Sequence, residues 1–510
     1  RTAAIHVQWL RIARLRRRAS PGPRRFMSSG YESPACGAAP RRRAPHCHSP
    51  RRATGAKEAA LVAALVAAGG SALRRRCRGV HCLEEALTTT SPANPRPEVF
   101  DLLAPGLALE FGARVDRMAA RVWFWSSAAE HERLAALRVD AGPVERVRRS
   151  AQSLAALQAP GDGVRLVDDR PTVLVVHALT GDMCVGGDGG WWEPLVGPGK
   201  VLDPERYRLL CVNNLGSCYG TSGPGDEVFP MLAENADMPA PITTWDQAQA
   251  ILGVLDALGV GRVELVVGGS VGGMVSLCLC ALAPERFARV MPVAACEAAS
   301  PWIIGWNHIA RSVLLDDPTY PHDARYGLVT ARALAMLTYR AERGLQQRHG
   351  RQVATEDQRR ERTWWGRQPY AVQTYLDYQG DKLYQRYDAR AYISQLDAMD
   401  HHDIARVPDH LVGDRPEDWT EDAAQVLSSL PERSWGLSRM RASLLAVGID
   451  TDELFLPEHS ELLVRRYRSL GRHAELAMIR SAHGHDAFLI EADQMEAILA
   501  RGLALPPGAD

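Results

Sequence analysis

Val263-Glu264-Leu265-Val266-Val267 runs without a break into Gly268-Gly269-Ser270-Val271-Gly272, and the residues that follow, Met274 to Leu282, are almost wholly apolar. A short β-branched run of this kind reads as a buried strand, and the apolar segment after it as a buried helix. Between them Gly268 and Gly272 leave room for a sharp turn that holds Ser270 in a strained conformation with its hydroxyl exposed. A strand, a tight turn and a helix in that order are the setting of a nucleophile elbow.

Four more apolar runs read as buried strands: Thr172 to Val176, Tyr207 to Val212, Val290 to Val293 and Leu444 to Val447. Continuous runs, rather than alternation, predict a mostly parallel sheet with helices on both faces. Residues 298–435 carry Trp, Tyr, Arg and acids at helical spacing and offer no good strand, which predicts a helical lid inserted over the sheet. The division expected is an Arg-rich extension over 1–94, the first part of the core over 95–297, the lid over 298–435 and the second part of the core over 436–510. Ser126 to Leu137 and Glu145 to Leu157 read as two further helices, which leaves the first strands of the sheet undefined.

An elbow serine needs a base and an orienting acid, and they follow it at the ends of later strands. The run ending at Val447 leads into Gly448-Ile449-Asp450-Thr451-Asp452, and Ala474 to Ile479 leads into Ser481-Ala482-His483-Gly484-His485-Asp486. Asp450 or Asp452 is therefore the candidate acid, and His483 or His485 the candidate base.

The chain resembles the homoserine O-acetyltransferases, acyltransferases of the α/β hydrolase superfamily. The resemblance rests on Val176 to Asp182, Gly190-Trp191-Trp192 through Lys200, Asn213 to Pro224 and Gly268 to Met274. It continues in Trp306-Asn307 with Arg311, Tyr378 to Leu383 with Arg386 to Ala389, Thr451 to Phe455 and His485 to Leu489, and covers about residues 95 to 505. It implies an α/β hydrolase fold with Ser270 as nucleophile, Asp452 as acid, His485 as base, and the backbone amides of Leu179 and Val271 as oxyanion hole. It implies that Arg311 binds the carboxylate and Asp486 the ammonium of L-homoserine. The activity so implied moves an acetyl group from acetyl-CoA to homoserine by a ping-pong route, in a cytoplasmic homodimer, with acetyl-CoA as co-substrate and neither a cofactor nor a metal. A serine O-acetyltransferase, a succinyl-transferring relative or an esterase would use the same three groups, since one methylene in an acceptor is worth only about 1 to 3 kcal/mol.

With 60 basic and 60 acidic residues in 510, no global charge draws the chain to nucleic acid or to an anionic membrane. The apolar stretch Ala59 to Leu73 falls short of the roughly 20 residues that span a bilayer. Arginine clusters at 16–18, 24–25, 41–43 and 51–52, with Glu32 the one acid in the first fifty residues, predict a disordered extension without function, the alternative being a mitochondrial transit peptide. The ten cysteines lack CxxC spacing and are expected to be reduced. His401-His402-Asp403 is expected to be a surface or lid cluster rather than a metal site, because adjacent helical residues point apart. His177 is expected to hold the oxyanion loop. Trp364, Trp365, Tyr370, Tyr375 and Tyr378 pack the lid or line a pantetheine tunnel.

Overall fold

The computed structural model describes residues 96–135, 170–226, 229–355, 368–406, 408 and 435–508. The basic extension, the stretch Ala59 to Leu73, the helix expected over Glu145 to Leu157 and the pair Trp364-Trp365 lie outside the described residues.

Strands β1 (Glu98–Ala108) and β2 (Arg114–Trp125) are followed by helix α1 (Ala128–Ala135), then by β3 (Thr172–Val176) and β4 (Arg208–Val212). A small antiparallel pair, β5 (Met231–Leu232) and β6 (Asn235–Pro239), precedes α2 (Thr244–Ala257), β7 (Leu265–Gly269), α3 (Val271–Leu282) and β8 (Arg289–Val293). Next come α4 (Pro301–Leu315), α5 (Arg325–Tyr339), α6 (Glu342–His349), α7 (Ala371–Tyr384) and α8 (Ala389–Asp400). The chain closes with α9 (Trp435–Arg439), β9 (Ser443–Ile449), α10 (Pro457–Ser469), β10 (Ala474–Ile479), α11 (Ala487–Ile490) and α12 (Ala492–Ala504). Helices α4 to α8 all fall within the span expected to be a helical insertion.

Eight strands form one sheet in the order β1-β2-β4-β3-β7-β8-β9-β10, antiparallel at β1–β2 and β2–β4 and parallel from β4 onward. Alternate residues of the parallel strands enter two separate cores, one on each face: Leu174, Val176, Val266 and Val290 on one side, Val173, Val175, Val267 and Met291 on the other. Burial on both faces is why these strands are continuously apolar.

The antiparallel hairpin is the part the sequence concealed. β1 contains Pro105 and Gly106, residue types common in turns, yet it is an edge strand, where proline costs no central ladder bond. A Cβ on Gly106 would collide with the backbone of Asp116 on β2, so close strand approach requires glycine there. Arg121 on β2 faces Asp101 on β1 in register and binds both of its carboxylate oxygens, at 2.9 and 2.8 Å. Mutual neutralisation lets both charges sit in the sheet.

Candidate active site

Ser270 lies at the carboxyl end of β7, where β7 turns into α3. Its φ of 58° and ψ of −127° put a non-glycine residue in strained backbone space. The amide of Ser270 donates to Val293 O at 2.8 Å, which ties the bend to β8. A Cβ on Gly268 would strike the backbone of Gly272, and one on Gly272 would strike Val176 O of β3. The two glycines therefore let the bend fold onto itself and onto the sheet. The Ser270 hydroxyl lines a pocket of about 260 Å³ at the carboxyl ends of the parallel strands.

Loops after β9 and β10 bring Asp452 and His485 together. His485 Nδ1–H donates to Asp452 Oδ2 at 2.6 Å, and Asp452 Oδ1 accepts from the amides of Leu454 and Phe455 at 2.9 and 2.8 Å. Both residues are buried, and the carboxylate fixes the tautomer that leaves His485 Nε2 able to accept a proton. Burial works against the imidazolium, but the charge and hydrogen bond of Asp452, with the charge of Asp486, outweigh it and raise the His485 pKa above its ordinary value. The ring is held by Phe455 stacked at 5.0 Å, with Tyr339 and Phe488 at 5.7 and 5.9 Å. Asp450 instead accepts from the Ser481 amide and faces Arg480, and His483 sits on the approach turn, so of the four candidates it is Asp452 and His485 that are hydrogen-bonded to each other. Ser270 and His485 face the same pocket, and no hydrogen bond joins them in this structure. Catalytic hydrogen bonds often reach their final length only around the bound substrate.

Val271 opens α3, so its amide is one of the unpaired first-turn donors of that helix. Leu179 lies in the loop after β3 and lines the pocket. His177 supports that loop: its Nε2 accepts from the Asn214 amide at 2.9 Å, which leaves Nδ1–H to donate to Ala178 O, also at 2.9 Å. Burial lowers the His177 pKa and keeps the ring neutral, as this tautomer requires.

The helical segment adds Arg332 and Tyr339 of α5, Lys382 of α7, and Arg386 to the pocket lining. Arg332 Nη1 is shielded from solvent without a hydrogen-bond partner, and its guanidinium stands 5.2 Å from the Tyr339 ring centre. An enclosed donor with no acceptor is costly unless a ligand supplies one. Asp486 lines the pocket beside His485 and faces Arg340 at 3.2 Å.

Residues 171–491 match the family model of the alpha/beta hydrolase fold. The homoserine O-acetyltransferase of Thermus thermophilus is 36% identical over 353 residues, covering 64% of this chain and 80% of that protein. That of Moorella thermoacetica is 35% identical over 342 residues, covering 64% and 84%. The chain belongs to the homoserine O-acetyltransferase family. As a member it is an acyltransferase on the α/β hydrolase fold. Among solved structures, homoserine O-acetyltransferase from Bacillus anthracis superposes with a TM-score of 0.60 at 17% identity, over 82% of this chain and 100% of that one. Esterase E22 gives 0.58 at 15% identity, over 80% and 100%. At these identities the two superpositions speak for the fold alone.

The family likeness expects Arg311 at the acceptor carboxylate, and the surroundings of this residue differ from that expectation. Arg311 does not line the pocket: its Nη2 binds Asp397 at 2.8 Å and Asp400 at 2.5 Å on α8, and Asn307 donates to Asp400 at 2.7 Å. Two acids one turn apart on α8 hold the guanidinium. Cations that do share the pocket with Ser270 include Arg332, which sequence reasoning missed because an arginine on an amphipathic helix reads as solvated. Of the two readings given for the lid aromatics, Tyr375 fits packing within the lid. Tyr375 is buried against His349, Tyr370 and Tyr378 are exposed, and none of the three lines the pocket. His402 is buried with its two nitrogens on Thr244 Oγ1 and Cys296 O, at 2.8 and 3.0 Å, whereas His401 is exposed, so the pair points apart as expected. Among the described residues no helix is long and apolar enough to cross a membrane.

Proposed function

We propose that this acyltransferase moves an acetyl group from acetyl-CoA to the hydroxyl of L-homoserine through an acetyl-Ser270 intermediate. The observation that carries the reading is the presence, in the lining of one pocket, of an elbow serine, an imidazole relayed to a carboxylate, and the guanidinium of Arg332. The first two suit acyl transfer and the third suits an acceptor that bears a carboxylate.

In the first half-reaction His485 Nε2 takes the Ser270 proton as Oγ bonds to the thioester carbon. The amides of Leu179 and Val271 receive the developing oxyanion, each such donor being worth about 10² to 10³ in rate. The tetrahedral adduct collapses, the carbon–sulfur bond breaks, and the CoA thiolate leaves with the proton from His485. In the second half-reaction His485 takes the proton of the homoserine hydroxyl as that oxygen attacks the ester, and returns it to Ser270 Oγ. Arg332 binds the homoserine carboxylate. Asp486, shared with Arg340, receives the ammonium. The same three groups would pass the acetyl to water, so orienting a bound alcohol is what separates transfer from hydrolysis.

The test is CoA release with homoserine, serine or water as acceptor and acetyl-CoA or succinyl-CoA as donor. Fast release with acetyl-CoA and homoserine alone is expected; equal rates with water would make the protein an esterase, and a preference for serine or succinyl-CoA would reassign acceptor or donor. Replacing Arg332 by Ala should raise the KM for homoserine by about 10- to 100-fold, the worth of a hydrogen bond to a charged group, while acetyl-enzyme forms at the usual rate. Arg311→Ala should leave that KM alone and lower the melting temperature, because Asp397 and Asp400 lose their partner; steady-state kinetics and thermal melting separate the two.

The homodimer belongs to the same proposal. Trp302, Ile309 and Leu315 on α4, with Tyr326 and Leu337 on the adjoining α5, are exposed apolar residues of the kind a second copy covers. Light scattering should give twice the chain mass, and Ile309→Glu should reduce it to one chain; a single-chain mass for the unaltered protein would refute this.

A further inference from the structure

We infer that Arg386 and Tyr387, in the turn between α7 and α8, are positioning residues for acylation, because they clamp the loop whose Leu179 amide receives the oxyanion. The inference rests on the proposed role of Leu179. Three consecutive carbonyls of that loop are engaged. Ala178 O accepts from His177 Nδ1 and from the Gly181 amide, each at 2.9 Å. Leu179 O accepts from the Tyr387 hydroxyl at 3.1 Å, and Thr180 O from Arg386 Nη1 at 2.8 Å.

In a trans peptide the C=O and N–H point in opposite directions, so fixing a carbonyl also fixes the next residue's amide. His177 thereby sets the peptide that carries the Leu179 N–H. Tyr387 and Arg386 hold the two peptides after it, and this removes the backbone rotation through which the first could tip. An oxyanion donor is effective because it needs no reorganisation when charge develops, so a loop fixed at three points is worth more than one fixed only through His177.

The clamp itself is braced. Tyr387 is 1% exposed, and burial pushes its hydroxyl pKa well up, so it remains a donor. Arg386 also donates to the Tyr219 hydroxyl, and the Tyr219 ring stands edge-on to Tyr387 at 5.6 Å. Arg386 lines the pocket whereas Tyr387 does not, so a kinetic effect of Tyr387 cannot arise from contact with substrate. Through this turn the helical segment, some 206 to 208 residues further along the chain, reaches the end of β3.

The experiment compares the unaltered enzyme with Tyr387→Phe, Ser270→Ala, Arg386→Lys and Arg386→Met. Its readouts are single-turnover acylation by acetyl-CoA, binding of a boronic acid that adds to a serine as a tetrahedral mimic, binding of CoA, and melting temperature. Tyr387→Phe keeps the ring and its packing. It is expected to slow acylation about 10- to 100-fold, a fraction of one oxyanion donor's full worth, and to weaken boronate binding by the same factor, with CoA affinity and the acid limb of the pH profile unmoved. Arg386→Lys, which retains one donor, should acylate faster than Arg386→Met. Wild-type acylation and boronate affinity in Tyr387→Phe, or slow acylation explained wholly by lost CoA binding, would overturn the clamp. Should Tyr387→Phe fail to fold, the order of the two Arg386 variants decides, and equal rates for them overturn it. Turnover persisting in Ser270→Ala would instead overturn the acyl-serine reading itself.

Discussion

Ser270→Ala is expected to lower acetyl-CoA-dependent CoA release by on the order of 10⁶, the size of effect seen when a relayed serine nucleophile is removed. What remains would come from binding and from the two backbone amides, which the substitution leaves in place. Alanine at this position keeps the strained φ of 58°, so the protein should fold with its pocket intact and still bind CoA. Stopped-flow thiol detection with homoserine present checks this, and release near the wild-type rate would mean that another group carries the acyl chain.

The second large effect is expected at Asp452. Asp452→Asn keeps the size of the side chain but removes the acceptor that holds the proton on His485 Nδ1 at 2.6 Å, and turnover should fall by about 10⁴. The pH dependence gives an independent reading. His485 must be neutral to accept a proton, and its pKa is raised, so activity should rise with pH through a midpoint above the ordinary imidazole value of about 6.5. In Asp452→Asn both the charge and the hydrogen bond that raise this pKa are gone and burial still lowers it, so the residual activity should show its midpoint at lower pH. A rate–pH profile of each enzyme tests the sign, and a midpoint that moved up would contradict the assignment.

Strands β3, β4, β7, β8 and β9 were legible because each is buried on both faces, and the serine because Gly-x-Ser-x-Gly is informative once it sits between a strand and a helix. Order along the chain found the loops that carry Asp452 and His485, but the choice of these over Asp450 and His483 needed the family likeness and is matched by the hydrogen bond between them. Hairpin β1–β2 was not legible, because Asp101 and Arg121 neutralise each other across strands that a linear reading sees as separately charged. Arg311 and Arg332 show the same limit in the site. Both are arginines on helices of one segment, and only the fold shows one held by Asp397 and Asp400 and the other lining the pocket that holds Ser270. The Arg386–Tyr387 contacts escaped for a related reason: a hydrogen bond to a backbone carbonyl leaves no trace in the partner's side-chain sequence.

The most direct test of the account is to mix the enzyme with acetyl-CoA in the absence of acceptor, quench in acid within one turnover, and map the peptides by mass. One acetyl group on the peptide that contains Ser270, discharged when homoserine is added before the quench, is the predicted result. Stoichiometric transfer to homoserine with no acylated peptide at any quench time, or an acetyl group on a different residue, would contradict it.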